Sequence, residues 1–335
     1  MKFLKLVLTR LLIWALTIWV GVSIVFILQR IMPTDPVEVM IGKISAVGAR
    51  VTPEEIDATR SVLQKQFGLE GTLFEQYLLS MRRLLTFDFG PSFAMYPTKV
   101  MDLISASLPF TVGLLLFTTL FSWVIGNAIG LLAGFKKNKW YSKMLETISL
   151  CIYPIPYFIM ALVLLILFAY VYRWFPLMAT LPSKFELSWD WFSKVAHNSF
   201  LPALSLILLG SGWWIISMKS LSSNVAEEDF VSYGRMKGLR ESTIGFRYVF
   251  RNSILSQVTM LALSMGSVFS GSLMTEILFG YPGVGMLLQN AITSSDYNLM
   301  LGLITISIFA VATATLIIDL IYPLLDPRIR HGGTA

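Results

Sequence analysis

Charge is scarce in this sequence: Asp, Glu, Lys and Arg make up 14% of its 335 residues and hydrophobic residues 55%, against about 25% and 45–50% in an ordinary soluble domain. Such a composition excludes a conventional water-soluble globule and requires lipid to cover its apolar surface. There is one cysteine, Cys151, so no intrachain disulfide can form and the redox compartment leaves no trace. The two histidines, His197 and His331, fall on opposite sides of the membrane in the topology below, which excludes a His-based metal cluster or catalytic centre shared between them. A G-x-x-x-x-G-K-[ST] phosphate loop is missing, so the chain has no ATP chemistry of its own. Within the apolar runs there is no Ser/His, paired-Asp or His-Glu-x-x-His set, which removes the intramembrane proteases. Internal repeats, low-complexity tracts and Pro/Gly/Ser linkers are also missing, so residues 1–335 read as a single transmembrane domain.

What is present is a series of long uncharged runs, giving a mean hydropathy of +0.69. A helix needs about 20 mostly apolar residues to cross a hydrocarbon core of roughly 30 Å. Six stretches meet that requirement, 11–28, 108–134, 148–171, 201–218, 254–274 and 299–322. The expectation is therefore an all-α polytopic membrane protein with six spans. Lys2, Lys5 and Arg10 precede the first run, which is too long for a signal peptide and lacks a small-residue cleavage site, so it reads as a retained first span. Lys136, Lys137, Lys139 and Lys143 crowd one short loop, while 276–298 holds no Lys or Arg. By the positive-inside rule both termini face the cytoplasm. The same rule accounts for the net charge of +6 without nucleic acid as a partner.

Residues 30–107 form the long external connection between the first two spans, and they carry helix signals. Thr52-Pro-Glu-Glu55 reads as a capping box with proline at the first helical position. Ile56, Leu63 and Phe67 then share a face, and Phe74, Tyr77, Leu78, Met81, Leu84 and Leu85 repeat at helical spacing. A small helical cap on the outer surface follows.

The cytoplasmic loop 219–253 has its own helix grammar. Asn224 and Glu227 form a capping pair, Glu228 and Asp229 favour a helix start, Arg235 and Lys237 favour its end, and Gly238 can take the left-handed terminating conformation. Phe230, Val231, Tyr233 and Met236 would be exposed apolar residues in water, so either a partner's groove or the membrane surface receives this helix. Elsewhere, Gly126, Gly130 and Gly134 make a small-residue stripe on the second span. On the fifth, Gly266 pairs with Ser270 and Ser267 with Gly271. Tyr153-Pro-Ile-Pro156 should kink the third span. Glu276 to Gly285 reads as a compact outer loop. Asp319, Asn127 and Glu146 are assigned structural partners, an Arg of the C-terminal tail being the natural one for Asp319.

The segment from Asp229 to Leu239, with Arg247-Tyr-Val-Phe-Arg-Asn252 behind it, resembles the loop of the dipeptide, oligopeptide and nickel permeases of ATP-binding-cassette importers. Blocks similar to that family run in order along nearly the whole chain: Gly21-Val-Ser-Ile-Val-Phe, Pro33-Thr-Asp-Pro36, Phe67-Gly-Leu69, Asp88-Phe-Gly-Pro-Ser92, Leu108-Pro-Phe-Thr111, Glu276 to Gly285, Asp296-Tyr297 and Leu325-Asp-Pro-Arg-Ile-Arg330. Departures are Thr34 for a usual glycine, Ser232-Tyr233-Gly234 for a Glu-Ala-Ala-like start, and Leu255-Ser256 without the usual closing proline.

The resemblance implies a permease in the cytoplasmic (inner) membrane of a prokaryote, paired with a paralogous permease, two cytoplasmic ATPase subunits and an extracytoplasmic solute-binding protein. It implies no cofactor on this chain, with ATP and Mg on the ATPases. It implies a coupling set of Asp229, Phe230, Tyr233, Gly234, Arg235, Lys237, Gly238, Arg251 and Asn252. Pathway candidates are Ser264, Ser267, Gly271, Glu276, Pro282 and Gly283. The solute it implies is a peptide or a short oligosaccharide, with nickel disfavoured. The rival reading, a transporter driven by an ion gradient, wants ionisable groups near the midplane and inverted repeats, and the sequence offers neither.

Overall fold

A computed structural model of the chain describes residues 2–31, 37–38, 41–42, 53–182, 186–267 and 273–325. Every regular element among them is helical, and the sole bridge pairing found there joins Pro91 to Lys99. Among the described residues four helices are long and apolar enough to cross a membrane, and a fifth crossing is reached if one bent pair counts as a span. The chain divides into two compact units, Met1–Thr111 with Pro282–Leu320 and Val112–Tyr281 with Ile321–Ala335.

In the first unit, α1 (Lys2–Ile31) runs antiparallel to the last helix, α12 (Tyr297–Leu325). Arg10 meets Asp319 at 2.9 Å, the Trp14 indole donates to Thr313 at 3.1 Å, and Gly21 faces Ile308. Asp319 thus has a structural partner on the first helix; the C-terminal tail, whose arginine was the expected one, lies outside the described residues. Ile18, Val22 and Ala312 form a small core, and Met81 and Leu84 pack onto it.

Those two residues belong to α3 (Leu73–Thr86), which follows α2 (Pro53–Phe67). Proline stands at the first position of α2, as its missing N–H allows; Thr52 and the side chains of Pro53, Glu54, Glu55 and Phe67 lie outside the described residues, as does the turn 33–36. The capping box that is seen belongs to α3. Thr72 Oγ1 accepts from the Glu75 N–H at 3.3 Å, and the Glu75 carboxylate accepts from the Thr72 N–H at 2.7 Å. The apolar stripe of α3 splits. Tyr77 reaches Ser23 at 2.8 Å and Met81 and Leu84 turn inward, while Phe74, Leu78 and Leu85 stay exposed.

The second core of this unit gathers Phe89, Val100, Ile104, Leu299 and Leu303 with Leu287 and Ala291 of α11 (Val284–Thr293). Beside it lies a polar corner. Asp296 is fully buried and caps α12, its Oδ1 accepting from the Leu299 N–H at 3.0 Å. Its Oδ2 accepts from Ser92 Oγ and from the Ala94 N–H, and Asn298 donates to the Pro91 carbonyl at 3.0 Å.

In the second unit, α4 (Val100–Phe135) lies against α7 (Trp189–Ala226) along the glycine stripe. A Cβ at Gly130 would come within 2.7 Å of the Ile215 carbonyl, and one at Gly134 would overlap Ser222. Glycine is what lets the two backbones meet; the Ser223 hydroxyl donates to the Gly134 carbonyl at 3.1 Å, while that of Ser222 donates to the Met218 carbonyl of its own helix at 2.7 Å. The third apolar stretch is broken. Helix α5 (Trp140–Ile152) and helix α6 (Tyr157–Leu164), which continues as a π-helix over Leu165–Val171, meet at 100° around the two prolines. Glu146 of α5 pairs with Lys219 of α7.

Candidate functional site

Three features bear on function, all within the second unit. The first is the loop after α7. The helix runs on to Ala226, past the expected start at Asn224, with Ser223 tying its end to the Gly134 carbonyl of α4. Asn224 therefore lies inside α7, and Glu227 closes that helix and pairs with Lys137. The short helix, α8, spans Asp229–Met236, starting at Glu228 with no side-chain cap. Its end is a two-bond terminator: the Gly238 N–H donates to the Arg235 carbonyl at 2.9 Å and the Leu239 N–H to the Gly234 carbonyl at 3.3 Å. Gly238 sits at φ +71° with open space around it, so its role is conformational.

The two faces of α8 differ. Val231, read from the sequence as exposed, is fully buried with Leu131, Met218, Ile244 and Val249, and Gly234 is buried beside it. The burial comes from α4 and α7 forming a platform beneath the helix, a long-range contact no local pattern encodes. Outward stand Asp229, Phe230, Tyr233, Met236 and Lys237, with Tyr233 63% and Met236 80% exposed. Arg235 contacts Glu241 at 3.3 Å and lies 5.9 Å from the Phe135 ring centre. Phe230 stacks on Tyr248 at 6.3 Å, whose carbonyl accepts from Asn252 at 2.6 Å. The two halves of the expected coupling set are thereby brought together, with Arg251 exposed next to Asn252. Between them the backbone is π-helical over Ile244–Phe250 before α9 (Arg251–Ser267) begins, a local shift of the hydrogen-bond ladder that often marks a working segment.

The second feature is a cavity of 390 Å³ between α4, α6, α7 and α9, lined among others by Thr118, Ser122, Tyr157, Trp213 and Ser264. Tyr157 follows the proline break. Its hydroxyl joins Ser205 of α7 and Thr275 of α10 (Leu273–Phe279), each at 2.7 Å. That network escaped the sequence reading, since its members lie 48 and 118 residues apart. Of the pathway candidates, Ser264 lines the cavity. Ser267 is described by its helical backbone alone, and Gly271 lies outside the described residues, as does His331.

The third feature is the turn after α10. Glu276 is fully buried, and the Tyr281 N–H donates to its carbonyl at 2.8 Å while Gly280 turns at φ +58°, repeating the terminator seen at Gly238. Burial pushes the Tyr281 phenol above its ordinary value, opposed by its contact with Ser199 at 3.2 Å and reinforced by Glu276. Pro282 and Gly283 belong to the other unit, where Gly283 caps α11. Asn127 bonds back to the Trp123 carbonyl at 2.7 Å. Among the described residues no three His, Cys, Asp or Glu side chains gather as metal ligands.

Against known proteins, residues 126–331 match the family described as binding-protein-dependent transport system inner membrane component. The chain is 28% identical over 332 residues to the oligopeptide transport system permease protein OppB of Haemophilus influenzae, covering 98% of this chain and 100% of that one. It is 28% identical over 323 residues to the oligopeptide transport system permease protein AppB of Bacillus subtilis, covering 95% and 96%. To the di/tripeptide transport system permease protein DppB of Pseudomonas aeruginosa it is 29% identical over 327 residues, covering 93% and 94%.

Proposed function

From the premise that the chain belongs to the family of binding-protein-dependent transport system inner membrane components, we propose that it is the membrane permease subunit of an ATP-driven peptide importer. Its relatives are permeases for oligopeptides and for di- and tripeptides, matched over almost their whole length. The chain supplies a path and a handle. Hydrolysis belongs to two cytoplasmic ATPase subunits carrying ATP and Mg, delivery to an extracytoplasmic binding protein, and the other half of the path to a paralogous permease. In this reading six spans cross the inner membrane, with the bent pair as the third and α9 with the residues after it as the fifth. Both termini are cytoplasmic, and α2 and α3 form the external cap.

The observation that carries the proposal is the two-faced helix α8. A self-terminated helix fastened by Val231 to its own bundle, with Phe230, Tyr233 and Met236 turned away from it, is a handle with a free grip. Closure of the ATPases would move the platform of α4 and α7 through it and switch the bundle between two packings. Asp229, Lys237, Arg251 and Asn252 frame the grip, and Gly238 ends it. An ion-gradient mechanism is not favoured: Asp319 and Glu146, which lie near span ends, pair with Arg10 and Lys219.

The experiment is copurification. Tyr233→Asp places a charge at the centre of the grip, and Gly238→Pro removes the left-handed terminator. Both should abolish ATPase copurification and ATP-dependent uptake while the permease itself extracts as folded protein. Unchanged copurification and uptake in both variants would refute the docking site.

A further inference from the structure

Helix α4 faces α9, and the π-helical turn before it, across a seam that runs from the seat of α8 to the cavity, and two contacts set its register. At one end a Cβ on Gly245 would stand 3.3 Å from the Phe135 ring; at the other the Trp123 indole donates to the Gln257 carbonyl at 3.1 Å. Between these contacts both strands of chain advance by twelve residues, in opposite directions. The antiparallel register therefore sets Asn127 level with Ser253, one turn from the Trp123–Gln257 contact.

Trp123 and Phe135 reach across the seam with full aromatic rings and fix how far apart its two sides stand. Asn127 and Ser253 are too short to fill that width. The gap between them is closed to the outside and polar: Asn127, Ser253 and Gln257 are 3%, 1% and 0% exposed. One oxygen of each, Asn127 Oδ1, Ser253 Oγ and Gln257 Oε1, has no hydrogen-bond partner in the protein. The two amide nitrogens are engaged. That of Asn127 donates to the Trp123 carbonyl at 2.7 Å, and that of Gln257 to Ser217 of α7 at 2.8 Å. Side chains on a helix lean toward its N-terminus, so Gln257 leans over the turn that opens at Ser253, and Asn127 leans back toward Trp123. The three orphaned oxygens converge on one space.

We propose that this seam binds a water molecule, which donates its two hydrogens to Asn127 Oδ1 and Gln257 Oε1 and accepts from the Ser253 hydroxyl. The capacities match, two acceptors and one donor against two hydrogens and a lone pair, and a buried water makes about three hydrogen bonds. Without it three oxygens stay desolvated and unpaired, which is costly in apolar surroundings. Leu131 and Val249, part of the seat of α8, lie one turn away on one side, and Ser122 and Ser264 of the cavity lie on the other. A bridging water holds α9 to α4 nearly as well as a direct hydrogen bond, and its partners can be exchanged as the helices shift. The site depends on the packing of the second unit and not on what the chain transports.

The test uses the full chain in lipid nanodiscs, and its readout is the sign of a stability change. Ser253→Ala deletes one oxygen and brings in a better helix former, so an oxygen with nothing to bond would be lost with a gain in unfolding midpoint. With the water bound, the midpoint should instead fall by about 2 °C or more. Adding Asn127→Leu should lower it by less than the two single losses combined, because both act through the same molecule. A raised midpoint for Ser253→Ala, or strict additivity, overturns the proposal. Water-edited NMR reads the ligand itself: the wild-type Asn127 side-chain amide, assigned by its disappearance in Asn127→Leu, should receive magnetisation from water, and no transfer overturns the site. A small monovalent cation would suit the same oxygens. Exchanging sodium for choline should leave the wild-type midpoint unchanged, and a fall would give the site to the cation and overturn the assignment to water.

Discussion

The corner around Asp296 and the short helix α8 are both small non-spanning pieces, and they are fixed by opposite chemistries. Asp296 is a buried carboxylate whose oxygens accept from Ser92, Ala94 and Leu299. Such a network has one low-energy arrangement, because each displaced donor is left unpaired where water cannot reach. Helix α8 rests on Val231 against Leu131, Met218, Ile244 and Val249. Apolar contact is non-directional, so that surface can slide or tilt at modest cost. The polar corner suits a fixture, and the apolar seat suits a moving part.

Four substitutions test this contrast. Asp296→Ala removes the acceptor of three donors and should cost about 3–5 kcal/mol, read as a lowered thermal unfolding midpoint of detergent-purified protein; a small shift would mean the corner is not the fixture described. Gly134→Val drives a side chain into Ser222 and Lys219 and should cost about 1–3 kcal/mol through overpacking. Because it deforms the platform under α8, it should also loosen ATPase attachment measured by copurification. Val231→Ala should cost about 2 kcal/mol and leave attachment intact, since the seat only becomes shallower; detachment would show that the seat is as exacting as the corner. Arg10→Ala breaks a half-exposed pair with Asp319 and should change stability by no more than about 1 kcal/mol, provided the pair is structural as read; a collapse of transport at preserved stability would assign Asp319 a working role.

Much of this was visible in the sequence where the signal is local. The long apolar runs mark the spanning helices, the two prolines at 154 and 156 mark the 100° break, and Gly238 marks the end of α8. What escaped depends on contacts remote in the chain. Asp296 finds Ser92 across 204 residues, and Val231 is buried by residues of α4, α7 and the segment before α9. Asn224 and Glu227 imitate a cap, but α8 starts past them, since the preceding helix, tied to α4 by Ser223, continues to Ala226. The cap at Thr72 and Glu75 is local, three residues apart in the chain.

The broken third stretch has a consequence for how the protein is made. At about 1.5 Å per residue, the 13 residues of α5 reach roughly 20 Å, too short to traverse a bilayer unaided. Its Glu146 pairs with Lys219, and Tyr157 beyond the break bonds Ser205, both on a helix synthesised later. The third stretch is therefore expected to settle onto its partners only once residues 189–226 have been made. Truncating the chain ahead of α7 should leave the third stretch open to quality-control proteases, making assembly order a property written into two prolines.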